Sequence, residues 1–160
     1  MGASVSSPAA DLPFSVRIPF VELLGFRLRR WAEGEAEIAF DPSAEHLNSF
    51  DVVHGGASMT LLDVVMAHAA RSVQRDMGVV TIEMKTSFMQ AAQGPLVARA
   101  RLLHRTATMA FTDGEIRDAA RRLCAHATGT FRYVRRLPAP GRDVRDLNGP
   151  ATEAGVVPTD

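Results

Sequence analysis

A single carboxylate interrupts a long apolar stretch of this chain. The stretch runs Ala57-Ser58-Met59-Thr60-Leu61-Leu62-Asp63-Val64-Val65-Met66-Ala67-His68-Ala69-Ala70, and Asp63 is its only formally charged residue. A helix that is apolar on nearly every side must be covered on nearly every side. The remaining chain therefore has to supply a surface large enough to wrap one long helix. A carboxylate in that setting loses hydration and must recover it from hydrogen bonds, a charge or water. Folding alone favours leucine at position 63. Chemistry offers a reason for an acid there: a dry pocket facing a backbone site for developing negative charge. A structural cap or ion-pair partner is the competing reading of Asp63.

Much of the chain beyond the helix alternates with period two, the mark of half-buried strands. Ile82, Met84, Thr86 and Phe88 fall on one face, against Glu83, Lys85 and Ser87. Past a break at Gln93-Gly94-Pro95, the pattern resumes with Leu96, Ala98, Ala100 and Leu102. Residues 111–118 read as a segment containing a turn at Asp113-Gly114. A last strand over 123–134 places Ala125, Ala127, Gly129, Phe131 and Tyr133 on one side. Residues 26–31 and 35–40 flank Ala32-Glu33-Gly34 and predict a hairpin. Pro19 and Gly25 bracket a short helix. Residues 41–53 read as a loop, and the long helix is predicted over 57–76 with Gly78 as its stop. The fold class is α+β: an antiparallel sheet of about five or six strands wrapped around one long central helix. The expected organisation is a flexible leader over 1–15, one domain over 16–137, and a tail over 138–160. The tail is rich in proline and glycine, loses the strand pattern, and reads as extended or disordered.

Bulk properties exclude several classes. A chain of 160 residues suits one domain with a real core. Lys+Arg and Asp+Glu each number 18, so the formal net charge is zero. Nucleic-acid binding needs a basic surplus, so no nucleic acid is expected. Zero net charge also leaves self-association unopposed. No apolar run reaches the length of a membrane span, and the N-terminus lacks a signal-peptide pattern. Cys124 is the single cysteine, which excludes an internal disulfide and a multi-cysteine metal site. The expected setting is cytoplasmic, with no membrane partner. His46, His54, His68, His104 and His126 form no close pair of ligand spacing, so no metal is predicted.

His54-Gly55-Gly56 stands directly before the apolar stretch. If the two glycines open the helix, their amides are among those without an intrahelical acceptor. A free amide at the positive helix end is an oxyanion site. The alternative is that the glycines only permit a tight turn. Gly55 and Asp63 are eight positions apart, or about 12 Å along one helix. One reacting carbonyl cannot touch both, and the simple resolution is a dimer in which Gly55 of one chain faces Asp63 of the other. Ser58 and Thr60 fall in the first turn and read as caps.

Asn48-Ser49-Phe50-Asp51-Val52-Val53-His54-Gly55-Gly56, followed by Asp63, resembles the hotdog-fold acyl-CoA thioesterases of the PaaI-like, hydroxybenzoyl-CoA type. The resemblance extends over about residues 19–133. It includes Thr81-Ile82-Glu83-Met84-Lys85-Thr86-Ser87-Phe88 as the family's strand after the helix. It implies hydrolysis of an acyl-CoA to a carboxylic acid and free coenzyme A. Asp63 would be the base or nucleophile, with the Gly55 amide on the carbonyl and His54 and Asn48 shaping the site. Substrate contacts are expected from Gly56, Met66, Thr81, Phe88 and Arg105. No cofactor is implied, since coenzyme A is part of the substrate. Family members pair their sheets edge to edge, which implies a homodimer with shared sites and allows a dimer of dimers.

Several positions depart from the family pattern. A hydroxyl one turn after the acid is replaced by Ala67, and a usual glycine is Asp51. The strand ends Phe88-Met89-Gln90-Ala91, without the family's basic residue. Arg105, Arg121 and Arg122 replace it by charge alone. Asp41 and His46 share the spacing of hotdog hydratases but lack that family's local sequence. The alternatives to hydrolysis are a hotdog acyl-thioester dehydratase or hydratase, and a non-catalytic acyl-CoA-binding protein.

Overall fold

The computed structural model describes residues 10–135. A short helix, α1 (Pro19–Leu24), leads into the hairpin β1 (Arg27–Ala32) and β2 (Glu35–Phe40). A 3-10 turn (Ala44–His46) interrupts the following loop, and α2 (Gly55–Arg71) is the one long helix among the described residues. Four strands complete the order: β3 (Gly78–Phe88), β4 (Leu96–Arg105), β5 (Met109–Asp118) and β6 (Leu123–Val134). They form one six-stranded sheet in the order β1-β2-β4-β5-β6-β3. Every pairing is antiparallel. This is the hotdog arrangement expected from the sequence, with α2 against the inner face of the sheet.

Local chemistry accounts for the elements. Glu33 and Gly34 both have positive φ, 54° and 79°, as a two-residue turn matched to strand twist requires. Gly25 ends α1 in the left-handed conformation. Along β6, Ala125, Ala127, Gly129, Phe131 and Tyr133 are buried, as the period-two reading predicts, and Cys124 is buried beside them. Small residues on the inner face, among them Ala98, Ala110 and Ala127, let the helix approach. Its Leu61, Leu62, Val65 and Met66 are fully buried against them.

Three expectations need correction. The helix begins at Gly55 and ends at Arg71, rather than spanning 57–76. Its last carbonyls are taken by side chains from elsewhere: Trp31 Nε1 donates to His68 O at 2.9 Å, and Tyr133 Oη to Ala70 O at 2.9 Å. Ser72 Oγ donates to Ala69 O at 2.8 Å and accepts from Gly34 N at 2.7 Å. With those carbonyls satisfied, the chain turns away, and Gly78 starts β3 instead of stopping the helix. Asp113-Gly114 is not a turn but the middle of β5, where Gly114 pairs with Ala100 and Ala127. A Cβ on Gly114 would meet Met66 Cγ at 3.0 Å, so this glycine serves close helix packing. Finally, α2 is not covered on every side. Gly56 and Met59 are exposed and Asp63 and Ala67 half-buried, forming one stripe at helical spacing beside β3.

The expected leader, 1–15, is described only from residue 10. Leu12 N donates to Leu28 O at 2.7 Å, Phe14 packs edge-on to His68, and Ser15 Oγ accepts from Arg71. The tail expected over 138–160 lies outside the described residues. Among the described residues no helix is long and apolar enough to cross a membrane.

Candidate active site

The loop before α2 is built around Asn48. Its Oδ1 accepts from Phe50 N at 2.9 Å, and its backbone N donates to Val52 O at 2.8 Å. Asp51 adopts φ 56°, a left-handed conformation that aspartate tolerates. That geometry suits glycine, the residue that the resemblance leads one to expect there. Val53 N bonds Ala92 O, and His54 N bonds His46 O, so the loop is tied at both sides. His54 then caps the helix: its Nδ1 accepts from Gly56 N at 2.8 Å. The Gly56 amide is thereby occupied. The Gly55 amide, at the first helical position, has no acceptor among the described residues.

Phe88 lies over this helix start. Its ring is 3.4 Å from where a Cβ on Gly55 would stand. Beneath it opens a cleft of about 350 Å³, whose lining includes Asn48, Gly55, Ser58, Phe88, Cys124 and Ala125. Burial raises the Cys124 thiol pKa, which disfavours the thiolate a nucleophile needs.

The acid stands on the same helix, two turns on. Asp63 is half-buried, and Thr81 Oγ1 donates to its Oδ1 at 2.7 Å. Burial raises the carboxyl pKa, and the Thr81 hydrogen bond works against that shift. A register shift between Thr81 and Glu83 breaks the β3–β6 ladder here. Such a bulge re-aims side chains at a sheet edge. Thr81 faces the helix, while Ile82 is 56% exposed. Helix geometry separates Gly55 from Asp63 by about 12 Å. The single chain thus carries an amide half and an acid half that do not meet.

The thioesterase superfamily profile matches residues 50–125, which span both halves. A protein of Archaeoglobus fulgidus named "Putative esterase" is 36% identical over 118 residues, 71% of this chain and 73% of its own length. The chain belongs to the thioesterase superfamily. Its reaction class is thioester hydrolysis. The conserved protein PA5202 of Pseudomonas aeruginosa superposes with a TM-score of 0.71 at 31% identity, covering 74% of this chain and 95% of that one. The E. coli PaaI protein from the phenylacetic acid degradation operon superposes with a TM-score of 0.68 at 23% identity, covering 72% and 83%. That second likeness concerns the fold.

Within this thioesterase the expected residues separate. Asn48, His54, Gly55, Gly56 and Phe88 gather at the helix start, and Thr81 joins Asp63. Met66 does not reach the site. It is fully buried under the central sheet, its side chain against Gly114 and Gly129. Three residues past Asp63, the helix has turned it inward. Arg105 is also absent from both halves. The register runs Thr81–Phe131–Ala110–Arg105, so three strand spacings, about 14 Å, intervene. The hydratase-like pair is engaged structurally, Asp41 with Arg27 and His46 with Ser43 N. A larger cleft of about 550 Å³ lies on the outer sheet face. Its arginines are spent on acids: Arg30 on Glu35, Arg99 on Glu37, Arg101 on Asp113. Among the described residues, no three His, Cys, Asp or Glu side chains converge as a metal site.

Ser58 is the residue the sequence reading misplaced. His54, not Ser58, caps the helix, and Thr60 bonds back to Gly56 O at 2.9 Å. Ser58 is 3% exposed and lines the cleft. The available signal was a small polar residue one turn beyond Gly55 in an otherwise apolar run.

Proposed function

We propose that this protein hydrolyses acyl-CoA thioesters to a carboxylic acid and free coenzyme A, at sites shared between two copies of the chain. The observation that carries this is the separation of two incomplete halves on one helix: a free Gly55 amide, and the Asp63–Thr81 pair about 12 Å further on.

A two-fold pairing joins such halves. β3 is an edge strand of 11 residues, and Ile82 and Phe88 beside it are more than half exposed. A long exposed edge is a template for pairing with another strand. β3 runs opposite to α2, with Phe88 over Gly55 and Thr81 over Asp63. Antiparallel pairing of two β3 edges about their middle sets the Gly55 end of one protomer against the Asp63 end of its partner. Phe50, 81% exposed, and Met59 add apolar surface on the loop before α2 and on α2 itself.

In such a site the thioester oxygen accepts from the Gly55 N–H, which strengthens as negative charge develops. Thr81 occupies one oxygen of Asp63 and leaves the other free. Acting as base, Asp63 takes a proton from water as the water oxygen attacks the carbonyl carbon. The tetrahedral intermediate then expels coenzyme A thiolate, which takes up the proton. Acting as nucleophile, Asp63 attacks the carbonyl carbon and breaks the C–S bond, expelling coenzyme A thiolate and forming a mixed anhydride; water then cleaves the anhydride, restoring the carboxylate, and the proton released passes to the thiolate. Single turnover in ¹⁸O-water tests the nucleophile route: label in the Asp63 carboxylate requires an anhydride cleaved at the aspartyl carbonyl, whereas the base route puts the label in the product acid.

A thiol-release assay over aromatic and aliphatic acyl-CoAs tests the reading. Release with at least one acyl-CoA is expected. Binding without release across the panel would sink hydrolysis and favour a carrier.

A further inference from the structure

We propose that Ser58 selects the acyl group: its hydroxyl binds an oxygen carried on the acyl chain close to the thioester, so acyl-CoAs with a hydroxyl or oxo substituent are preferred over plain ones. This rests on the cleft at the start of α2 being the acyl pocket.

Ser58 is 3% exposed, and its hydroxyl has no hydrogen-bond partner among the described residues. The oxygen is not sealed from solvent, as Thr86 Oγ1 is, but opens on the cleft, where a ligand can bond it. Alanine is the better helix former and would leave nothing unpaired. Thr60, in the same turn, shows the ordinary outcome by bonding back to Gly56 O. Thr86 Oγ1, by contrast, is sealed from solvent without a partner, and Thr86 does not line the cleft.

Position fixes the chemistry. Ser58 lies three residues beyond Gly55, about 4.5 Å along the helix axis. An acyl carbonyl on the Gly55 amide would therefore hold its next few carbons beside Ser58. The wall also carries the Asn48 and Gln90 amides, and Ser58→Ala separates the Ser58 contribution from theirs. Asn48 Oδ1 is taken by Phe50 N, and Cys124 is a weak partner at best. Phe88 and Ala125 are apolar. A serine hydroxyl both donates and accepts, so it suits a hydroxyl and an oxo group alike. A site built to bond a substrate oxygen discriminates against the analogue lacking it.

The test is calorimetric binding of 3-hydroxybutyryl-CoA and butyryl-CoA to the full chain carrying Asp63→Asn, which suppresses turnover. The expected affinity ratio is about tenfold in favour of the hydroxylated ligand, the upper range of one neutral hydrogen bond. Adding Ser58→Ala should bring the ratio to about one. A ratio near one with Ser58 present, or a ratio unchanged by Ser58→Ala, overturns the proposal. A ratio that behaves as expected in a protein whose wild type releases no thiol sustains this inference while removing the hydrolytic one. Failure of both ligands to bind overturns both.

Discussion

Thr81 Oγ1 donates to Asp63 Oδ1 at 2.7 Å across 18 positions of sequence. The bond orients the carboxylate, favours its ionised form and leaves one oxygen for chemistry. Asp63→Asn keeps the shape and removes the charge. Turnover should fall about a hundredfold or more, the lower end of general-base contributions. Steady-state thiol release by a folded variant measures it, and near-normal turnover would remove Asp63 from the mechanism.

Burial raises the Asp63 pKa, with Thr81 partly opposing it. A reaction that needs the carboxylate loses rate as pH falls through that raised value. The acid limb of kcat/KM should therefore lie above the ordinary aspartate range. Thr81→Val removes the lowering influence and should move the limb further up. Stability has the opposite sign. With the folded pKa above the unfolded one, Asp63 supports folding while protonated, and that support is lost as pH rises through the folded pKa. Asp63→Asn should therefore raise Tm at pH 7, and the gain should vanish toward pH 3. A lower Tm at pH 7 would show that the charge has a stabilising partner.

Shared sites predict complementation. Gly55→Pro deletes the amide hydrogen while keeping the helix, because proline suits the first helical position. His54 already has φ −57° and ψ 136°, the backbone a following proline prefers. Homodimers of Gly55→Pro and of Asp63→Asn should both be inactive. Mixed dimers should recover activity, since one of their two sites is intact. Native mass spectrometry must show the exchange, and a hybrid that forms but stays inactive rules out the shared site.

His68 predicts acid sensitivity. It is buried against Phe14 and Trp31, Nδ1 lies 2.8 Å from Val64 O, and Nε2 has no partner among the described residues. Burial, opposed by the Val64 bond and aided by the Arg71 charge, lowers its pKa to about 4. A histidine depressed in the fold stabilises it above the unfolded pKa, and that stability is lost as pH falls toward the folded value. The loss between about pH 6.5 and 4 is on the order of 3 kcal/mol. Urea unfolding across this window should show it, with a flatter profile for His68→Phe. Parallel profiles would assign the acid loss to other groups.

Close packing at Gly129 predicts a stability cost without a site effect. An added Cβ would stand 2.8 Å from Phe131 Cε2 and 3.1 Å from Met66 Cε. Gly129→Ala should destabilise by about 1–3 kcal/mol, the usual cost of overpacking. Chemical denaturation checks it, and an unchanged midpoint would mean that the core yields more readily than its contacts imply.

Short-range pattern was enough for most elements. Alternation exposed the inner faces of β4 and β6, Glu33-Gly34 announced the hairpin, and the apolar run announced α2. It also singled out Gly55 and Asp63 as candidates, because a lone acid in an apolar run and paired glycines before a helix are local features. What needed the tertiary structure were relations between distant segments. Strand order placed β3 at the edge, although β4 follows it in the chain. Trp31, Tyr133 and Ser72 ended α2 by bonding its last carbonyls, a contest no local propensity records. Gly114 looked like a turn because glycine usually marks one, and became mid-strand because Met66 needs the space. Thr81 found Asp63, Met66 turned into the core and Ser58 lined the cleft, since packing rather than sequence spacing decides which side chain meets which.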